Sequence, residues 1–351
     1  MQISGQKVQN LLNFWASEEL PPEQDTPAQP EQGEQTRVSA VLIANPTSGS
    51  YLPNAQNIAE IVTNLQAHGW QVALKFTKGS GDAARIAREA VAQQIDIVVA
   101  VGGDGTIHEI IQELAGSSTA LGILPSGTVN VWAREVGIPL DLRQAGQILF
   151  EGQTRTIDLG KINNCYFLLM SGIGIDGEIT QAVEKRPVKR LGVFGYLFIA
   201  IWFGIRYPAF RVVMRMNERA IKINALQVIV GNTQLYGGML KYTWQARCDD
   251  GQLDICVVRK RNPLGRLLVL LDFLLRSKQR KQWVRYETSN EIKLYTRKPI
   301  AIQVDGEPLG YTTTGATPTV LNIVPKTLKV VVPQHVPASL FTNPASVSAT
   351  E

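Results

Sequence analysis

Ile95-Asp96-Ile97-Val98-Val99-Ala100-Val101-Gly102-Gly103-Asp104-Gly105-Thr106 is the stretch whose reading decides the fold. Asp96 is the only polar residue among the first seven, so Ile95–Val101 reads as a strand buried on both faces, the mark of a parallel sheet. Ile107 to Leu114 reads as a helix. A strand, a glycine-rich turn and a helix start form a natural phosphate cradle, because glycine lets the backbone approach an anion and the first helical N–H groups point at it. Gly-Gly alone fits any tight turn. Asp104 adds a carboxylate where a metal–phosphate complex would sit.

Outward from this stretch, strands and helices alternate. Val38–Ala44 reads as a strand, Asn54–His68 as a helix with Ala55, Ile58, Ile61, Val62 and Leu65 on one face, and Trp70–Phe76 as a strand. A helix running to Gln93 follows, and Leu121–Leu124 is a short strand. Asn45-Pro46-Thr47-Ser48-Gly49, Thr77 to Asp82, and Pro125 to Asn130 each follow a strand, so they are expected at one carboxyl edge of a sheet covered on both faces.

Beyond a helix at Asp141–Glu151 the pattern becomes β-rich. Strands are expected at Thr154–Leu159, Tyr166–Ser171, Phe210–Met216, Ala220–Val230, Gln252–Val258, Glu291–Tyr295, Ile300–Val304, Val320–Val324 and Leu328–Val332. The expected architecture is an α/β nucleotide-binding domain over residues 37–152, then a mostly β domain over 153–333, a sandwich or flattened barrel. Residues 1–36 read as a flexible extension, with an amphipathic stretch at Val8–Leu20 that either docks on a membrane or partner or stays a loose tail. Residues 334–351 read as a disordered tail.

The 351-residue chain carries a formal net charge of +5, unevenly spread. Residues 1–36 hold six acidic residues and one basic, leaving 34 basic and 24 acidic residues from 37 onward. That excess favours anionic partners. It is the only feature speaking for nucleic acid, which is not expected as a partner. Three cysteines with no metal-ligand spacing suit a reducing compartment, and no basic region followed by an apolar one suggests a signal peptide.

Several motifs in fixed order carry a resemblance. They are Asn45-Pro-Thr-Ser-Gly49, Gly102-Gly-Asp-Gly-Thr106, Pro125-Ser-Gly-Thr-Val-Asn130, Asp158-Leu-Gly160, Gly172-Ile-Gly-Ile-Asp176, Gly231-Asn232 with Tyr236-Gly-Gly238, Asp250-Gly-Gln-Leu-Asp254 and Asp305-Gly-Glu307. From Val38 to Pro333 the chain resembles the diacylglycerol kinase catalytic-domain family, in the bacterial lipid-kinase branch of a superfamily that includes sphingosine kinases, NAD kinases and phosphofructokinases. The resemblance implies an ATP- and Mg²⁺-dependent kinase that phosphorylates the hydroxyl of diacylglycerol or a related lipid. An NAD-kinase-like phosphotransferase and a non-catalytic nucleotide- or lipid-binding protein are the alternatives.

The resemblance also implies site residues. Asn45, Thr77, Gly102, Gly103, Asp104, Gly105, Thr106, Ile107, His108 and Thr128 would bind ATP, Asp104 holding Mg²⁺ directly or through water. The alternative reading of Thr77 is a helix cap, and of Thr128 a turn residue. Glu307 would accept the proton of the lipid hydroxyl, and Asp158 would orient base or substrate. Taken alone, Asp305-Gly306 reads as a hairpin turn. A structural Mg²⁺ would take the Asp250 side chain and the carbonyls of Arg247 and Gln252; the bland reading is a turn into a strand. Two positions depart from the family: Val131 stands where Asp is usual, and His108 where Asn is common.

Two apolar segments lie beside basic clusters. Leu191–Ile205 is flanked by Lys185, Arg186, Lys189, Arg190 and Arg206, and Leu264–Leu275 precedes Arg276, Lys278, Arg280, Lys281 and Arg285. At 15 and 12 residues both are too short to span a bilayer. They suit a cytoplasmic enzyme working peripherally at the inner face of a membrane, or else core packing or a homodimer contact.

Overall fold

In the computed structural model, residues 38–46, 51–184, 204, 206–238, 240–274 and 283–342 are described. The extension at 1–36, Thr47-Ser48-Gly49, most of Leu191–Ile205 and the basic residues Lys185–Arg190 and Arg276–Lys281 lie outside them.

The first part alternates as expected: β1 (Ser39–Ala44), α1 (Tyr51–Ala67), β2 (Gln71–Phe76), α2 (Asp82–Ala92), β3 (Ile97–Gly102), α3 (Asp104–Leu114) and β4 (Ala120–Pro125). The strands pair in parallel in the order β2-β1-β3-β4. Chain order reverses between β1 and β3, which opens a crevice at their carboxyl ends. Both faces are covered, as the wholly apolar strands demand: Val98 to Val101 and Leu121 are fully buried. A short helix α4 (Val131–Val136) and then α5 (Leu142–Glu151) follow, the latter capped where Asp141 Oδ1 accepts from the Gln144 amide at 3.0 Å. Gly146 lets α5 lie close on α1: a β-carbon there would meet Ile61 Cγ1 at 2.9 Å.

The second part is antiparallel. It comprises β5 (Gln153–Ile162), β6 (Cys165–Phe167), β7 (Met170–Gly174), α6 (Ile175–Glu184), β8 (Phe210–Met216), β9 (Arg219–Gly231), β10 (Leu235–Tyr236) and β11 (Leu240–Lys241). Then come β12 (Leu253–Arg259), α7 (Pro263–Leu274), β13 (Val284–Ser289), β14 (Glu291–Thr296), β15 (Ala301–Val304), β16 (Glu307–Tyr311) and β17 (Thr319–Val332). Its core gathers Ile173, Val212, Met214, Val228, Val230, Ile255 and Leu294 from successive strands. The fold class is an α/β region with a parallel sheet followed by a mostly β region, as the sequence predicts.

Three differences from the sequence reading have physical causes. Tyr166–Ser171 is two strands, because the amides of Leu168, Leu169 and Met170 turn toward the Asp305 carboxylate. Val320–Val324 and Leu328–Val332 are one strand, whose polar interruption at Pro325–Thr327 is an irregularity in its pairing with β5. That strand also pairs in parallel with β4 through Lys329 and Val330, joining the two parts into one hydrogen-bonded sheet. Finally, residues 334–342, expected in a disordered tail, are packed: Leu340 and Phe341 are buried, and the Cys248 amide donates to Leu340 O at 3.0 Å.

Candidate active site

The ends of β2, β1, β3 and β4 are stitched side by side. The Thr77 amide donates to Ala44 O (2.9 Å), the Asn45 amide to Val101 O (3.1 Å) and the Ser126 amide to Gly102 O (3.0 Å). The loops that begin at Asn45, Thr77, Gly102 and Ser126 therefore stand in one row at the carboxyl edge. Thr77 is buried, Thr128 exposed. The α2 cap comes from elsewhere: Asp82 Oδ2 accepts from the Lys78 and Gly79 amides, and Glu109 on α3 reaches across to the amides of Gly81 (2.9 Å) and Ala83 (3.1 Å).

Glycines at 103 and 127 are a steric requirement. A β-carbon on Gly103 would lie 3.1 Å from Gly127 Cα, and one on Gly127 would be driven into Gly103 Cα and Asn130 Oδ1. Backbone thus lies on backbone between the β3 and β4 loops, leaving main-chain groups as the lining. Asn130 supports the turn with φ 52°, its Oδ1 accepting from the Gly127 amide (3.0 Å) and its Nδ2 donating to Gly127 O (2.8 Å). Thr106 and Ile107 are buried under the start of α3.

Asp104 opens α3 and accepts at Oδ1 from the Val131 amide at 2.8 Å. Burial pushes its carboxyl up to about 6; amides of Val131, Trp132 and Asn130 oppose the shift and the nearby Asp305 adds to it. A desolvated carboxylate in the field of a second one is a site that a hard cation would relieve. Position 131 keeps its part through the backbone: the valine side chain is buried, and the amide holds Asp104.

From the other end of the chain, β15 and β16 form a hairpin through Asp305 (φ 51°) and Gly306 (φ 90°), the left-handed pair a two-residue loop needs. The turn expected on local grounds is there, and the hairpin brings Glu307 to the Gly102–Gly105 turn: a β-carbon on Gly105 would sit 2.9 Å from Glu307 Oε1. Glu307 itself is exposed.

The hairpin is held from beneath. Asp305 is buried and accepts from the amides of Leu168 (2.9 Å), Leu169 (2.8 Å) and Met170 (3.1 Å). His108 Nδ1 lies 3.3 Å from Asp305 Oδ2, and its Nε2 3.8 Å from Cys165 Sγ. Burial disfavours the charged ring, yet the hydrogen bonds with Asp305 and Cys165 outweigh it and raise His108 to about 10. At neutral pH it is an imidazolium. Next, Gln303 Oε1 accepts from the Gly306 amide (2.7 Å), and its Nε2 donates to Asp176 Oδ2 (2.6 Å). Asp176 also accepts from the Tyr236 hydroxyl; burial pushes its carboxyl up to about 6, against both hydrogen bonds. Helix α6 backs the hairpin, with Gln181 Nε2 donating to Gly310 O at 3.0 Å.

The remaining expected residues gather at a second locus. Asp158 is 1% exposed, and its two oxygens accept from the amides of Lys326 and Gly251, each at 2.7 Å. Its carbonyl, with that of Leu168, accepts from Asn232 Nδ2. Asp158 is thus tied to backbone, and reaches the base of the hairpin only through Asn232 and the 168–170 segment. Asp250 Oδ1 accepts from the Gln252 amide at 3.0 Å. Its carboxyl is raised by burial and by Asp158 and Asp249, with Arg247 opposing. One carboxylate plus carbonyls is oxygen chemistry suited to Mg²⁺. Among the described residues, no group of three or more His, Cys, Asp or Glu side chains is arranged to hold a metal.

Sequence reading missed Glu109, Gln303 and the His108–Asp305 pair. Gln303 carried a signal: it is the one polar residue in the otherwise apolar, fully buried strand Ala301–Val304. Glu109 carried none, and His108, though singled out in the sequence, gave no sign of its pairing with Asp305, since the partners are distant in sequence.

Residues 39–162 match the family model of the diacylglycerol kinase catalytic domain, and residues 170–332 match that of the YegS C-terminal NAD kinase beta sandwich-like domain. The chain is 30% identical over 278 residues to the diacylglycerol kinase of Staphylococcus aureus (strain JH9), covering 77% of this chain and 86% of that protein. It is 28% identical over 272 residues to the diacylglycerol kinase of Bacillus subtilis (strain 168), covering 76% and 89%. A crystal structure of a diacylglycerol kinase from Bacillus anthracis str. Sterne superposes with a TM-score of 0.67 over 85% of this chain and 98% of that one, at 23% identity, a likeness of fold.

Proposed function

Since the chain belongs to the diacylglycerol kinase family, and is by that membership a lipid kinase, we propose that it transfers the γ-phosphoryl group of ATP to the hydroxyl of diacylglycerol, yielding phosphatidic acid. The observation that carries this reading is the approach of Glu307 to Gly105. It sets a carboxylate beside the helix start where a phosphate would lie.

In this mechanism the ATP phosphates rest on the backbone of the Gly102–Gly105 and Gly127 loops, with Asn45, Thr77, Thr106, Ile107, His108 and Thr128 completing the pocket. Asp104 would hold Mg²⁺ there, and the Asp250 carboxylate with the Arg247 and Gln252 carbonyls would hold a structural ion. An ion held at Asp104 would supply positive charge against the phosphate oxygens. Glu307 takes the proton of the lipid hydroxyl as that oxygen bonds to the γ-phosphorus and ADP departs. Asp305, His108 and Gln303 fix the hairpin so that this carboxylate stays at the loop. Asp158 acts as a positioning residue for the turn at Gly251.

A peripheral position at the inner face of a membrane fits the basic excess from residue 37 onward. It also fits α7, which leaves Leu264 (65%) and Leu268 (39%) exposed while burying Val269 and Phe273. Among the described residues no helix is long and apolar enough to cross a membrane. The same exposed face suits a homodimer contact; sedimentation with and without anionic vesicles separates the two.

The test is incubation with γ-labelled ATP and mixed micelles holding diacylglycerol, sphingosine, ceramide or phosphatidylglycerol, with NAD⁺ as a further acceptor. Label in phosphatidic acid is expected. Label only in another lipid changes the acceptor, label in NADP⁺ moves the chain to the NAD-kinase reading, and no labelled product makes it a binding protein.

A further inference from the structure

Cys165, His108 and Asp305 form a chain that phosphoryl transfer does not use in full. Cys165 Sγ lies 3.8 Å from His108 Nε2, and His108 Nδ1 lies 3.3 Å from Asp305 Oδ2. The order thiol, imidazole, carboxylate is the arrangement that activates sulfur nucleophiles. It is built rather than incidental. Gln112, one turn along α3 from His108, donates from Nε2 to His108 O (3.0 Å) and Tyr166 O (2.9 Å) and accepts at Oε1 from the Tyr166 amide (2.9 Å). That clamp fixes β6 against α3 and sets the thiol opposite the ring.

The three cysteines differ sharply in setting, and none is in a disulfide. Cys248 and Cys256 are fully buried, and burial pushes both thiols up. Cys165 is partly exposed at the start of β6, which among the described strands pairs only with β5. Its thiol also donates to Tyr166 O at 3.6 Å. The charged groups around the ring are Asp305 beneath it and, beyond Tyr166, Lys161, whose Nζ stands 4.8 Å over that tyrosine ring.

We propose that Cys165 is a modification site, a partly exposed thiol set against the His108–Asp305 pair that hydroperoxides and soft alkylating agents attack, and that its modification slows phosphoryl transfer by loosening the Asp305–Glu307 hairpin. With hydrogen peroxide, the sulfur pair forms an S–O bond as the O–O bond breaks. The leaving hydroxide takes the Nε2 proton of the ring and departs as water, and the ring recovers a proton from the sulfur. Sulfur is oxidised to the sulfenic acid and the peroxide is reduced. An oxygen or alkyl group added to Sγ must share the 3.8 Å gap, so the ring is displaced, and its contact with Asp305 is already long at 3.3 Å. The second half rests on Glu307 being the base; the first half does not.

The test uses the full, reduced chain. Iodoacetamide at pH 7 followed by peptide mass spectrometry is expected to modify Cys165 about tenfold faster than free cysteine, with Cys248 and Cys256 protected until the protein unfolds. His108→Asn and His108→Gln, each checked for a retained unfolding transition, are expected to slow that reaction about tenfold. Peroxide with dimedone should place the sulfenic adduct on Cys165. Reaction no faster than free cysteine, or rates unchanged in both His108 variants, overturns the thiol site. Cys165→Ser should keep basal lipid-kinase turnover and lose its inhibition by peroxide. Full inhibition in that variant, or none in the wild type once Cys165 is shown to be modified, overturns the coupling. Absence of any kinase turnover leaves the labelling experiments decisive for the thiol and sinks only the reading of Glu307.

Discussion

The Gly102–Gly105 loop and the Glu307 hairpin meet at one point but are held in place in different ways. Backbone fixes the shape of the loop: Gly103 lies against Gly127 of the neighbouring loop with no room for a side chain. The hairpin has an ordinary two-residue turn, and its position is fixed by Gln303 on its own strand and by groups from far along the chain: His108, Asp176 and Tyr236, with amides at 168–170. A backbone site tolerates no added carbon, whereas a site held by a network can lose a member and shift. Donor binding and acceptor chemistry should therefore fail separately under mutation.

The largest effect is expected on the backbone side. Gly127→Ala drives a β-carbon into the Gly103 main chain, where neither partner can yield. ATP affinity measured by calorimetry should fall at least about 100-fold, some 3 kcal/mol. An unchanged affinity would mean that the two loops do not bind the nucleotide together. Gly105→Ala is a sharper probe, since its β-carbon meets only the end of the Glu307 side chain at 2.9 Å. Turnover should fall roughly tenfold by displacement of the carboxylate, with ATP affinity intact. A fall in both would erase the distinction between loop and hairpin.

The smallest effect is a pH-dependent one on the network. The folded-state value of His108, raised to about 10, exceeds the ordinary value near 6.5, so its pairing stabilises the fold fully below about pH 6.5 and is lost as pH rises through about 10. The thermal midpoint of wild type should exceed that of His108→Asn by about 2–4 °C at pH 6, and the gap should close by pH 10.5. A gap independent of pH would show that the ring acts through packing alone.

This contrast also explains what could be read before the structure. The parallel sheet was legible because Ile95–Val101 and Leu121–Leu124 are apolar on both faces, and the tight turn at Gly102–Gly105 because its glycines and Asp104 are contiguous. Glu307 was reached only by resemblance; on local grounds Asp305-Gly306 is a turn, as it is. Why that turn lies where it does was not legible. His108 and Asp305 are 197 residues apart, and nothing in either neighbourhood marks the other. Leu340 and Phe341 show the same limit: in a polar, proline-containing tail their burial depends on a surface formed elsewhere.

The central claim is that a carboxylate delivered by a distant hairpin serves as the base at a backbone-built nucleotide loop. Glu307→Gln keeps the shape and removes the basicity. With diacylglycerol micelles and saturating γ-labelled ATP, single-turnover transfer to phosphatidic acid should fall about 10²- to 10⁴-fold while the ATP dissociation constant stays within about twofold of wild type. Transfer at the wild-type rate would contradict the account.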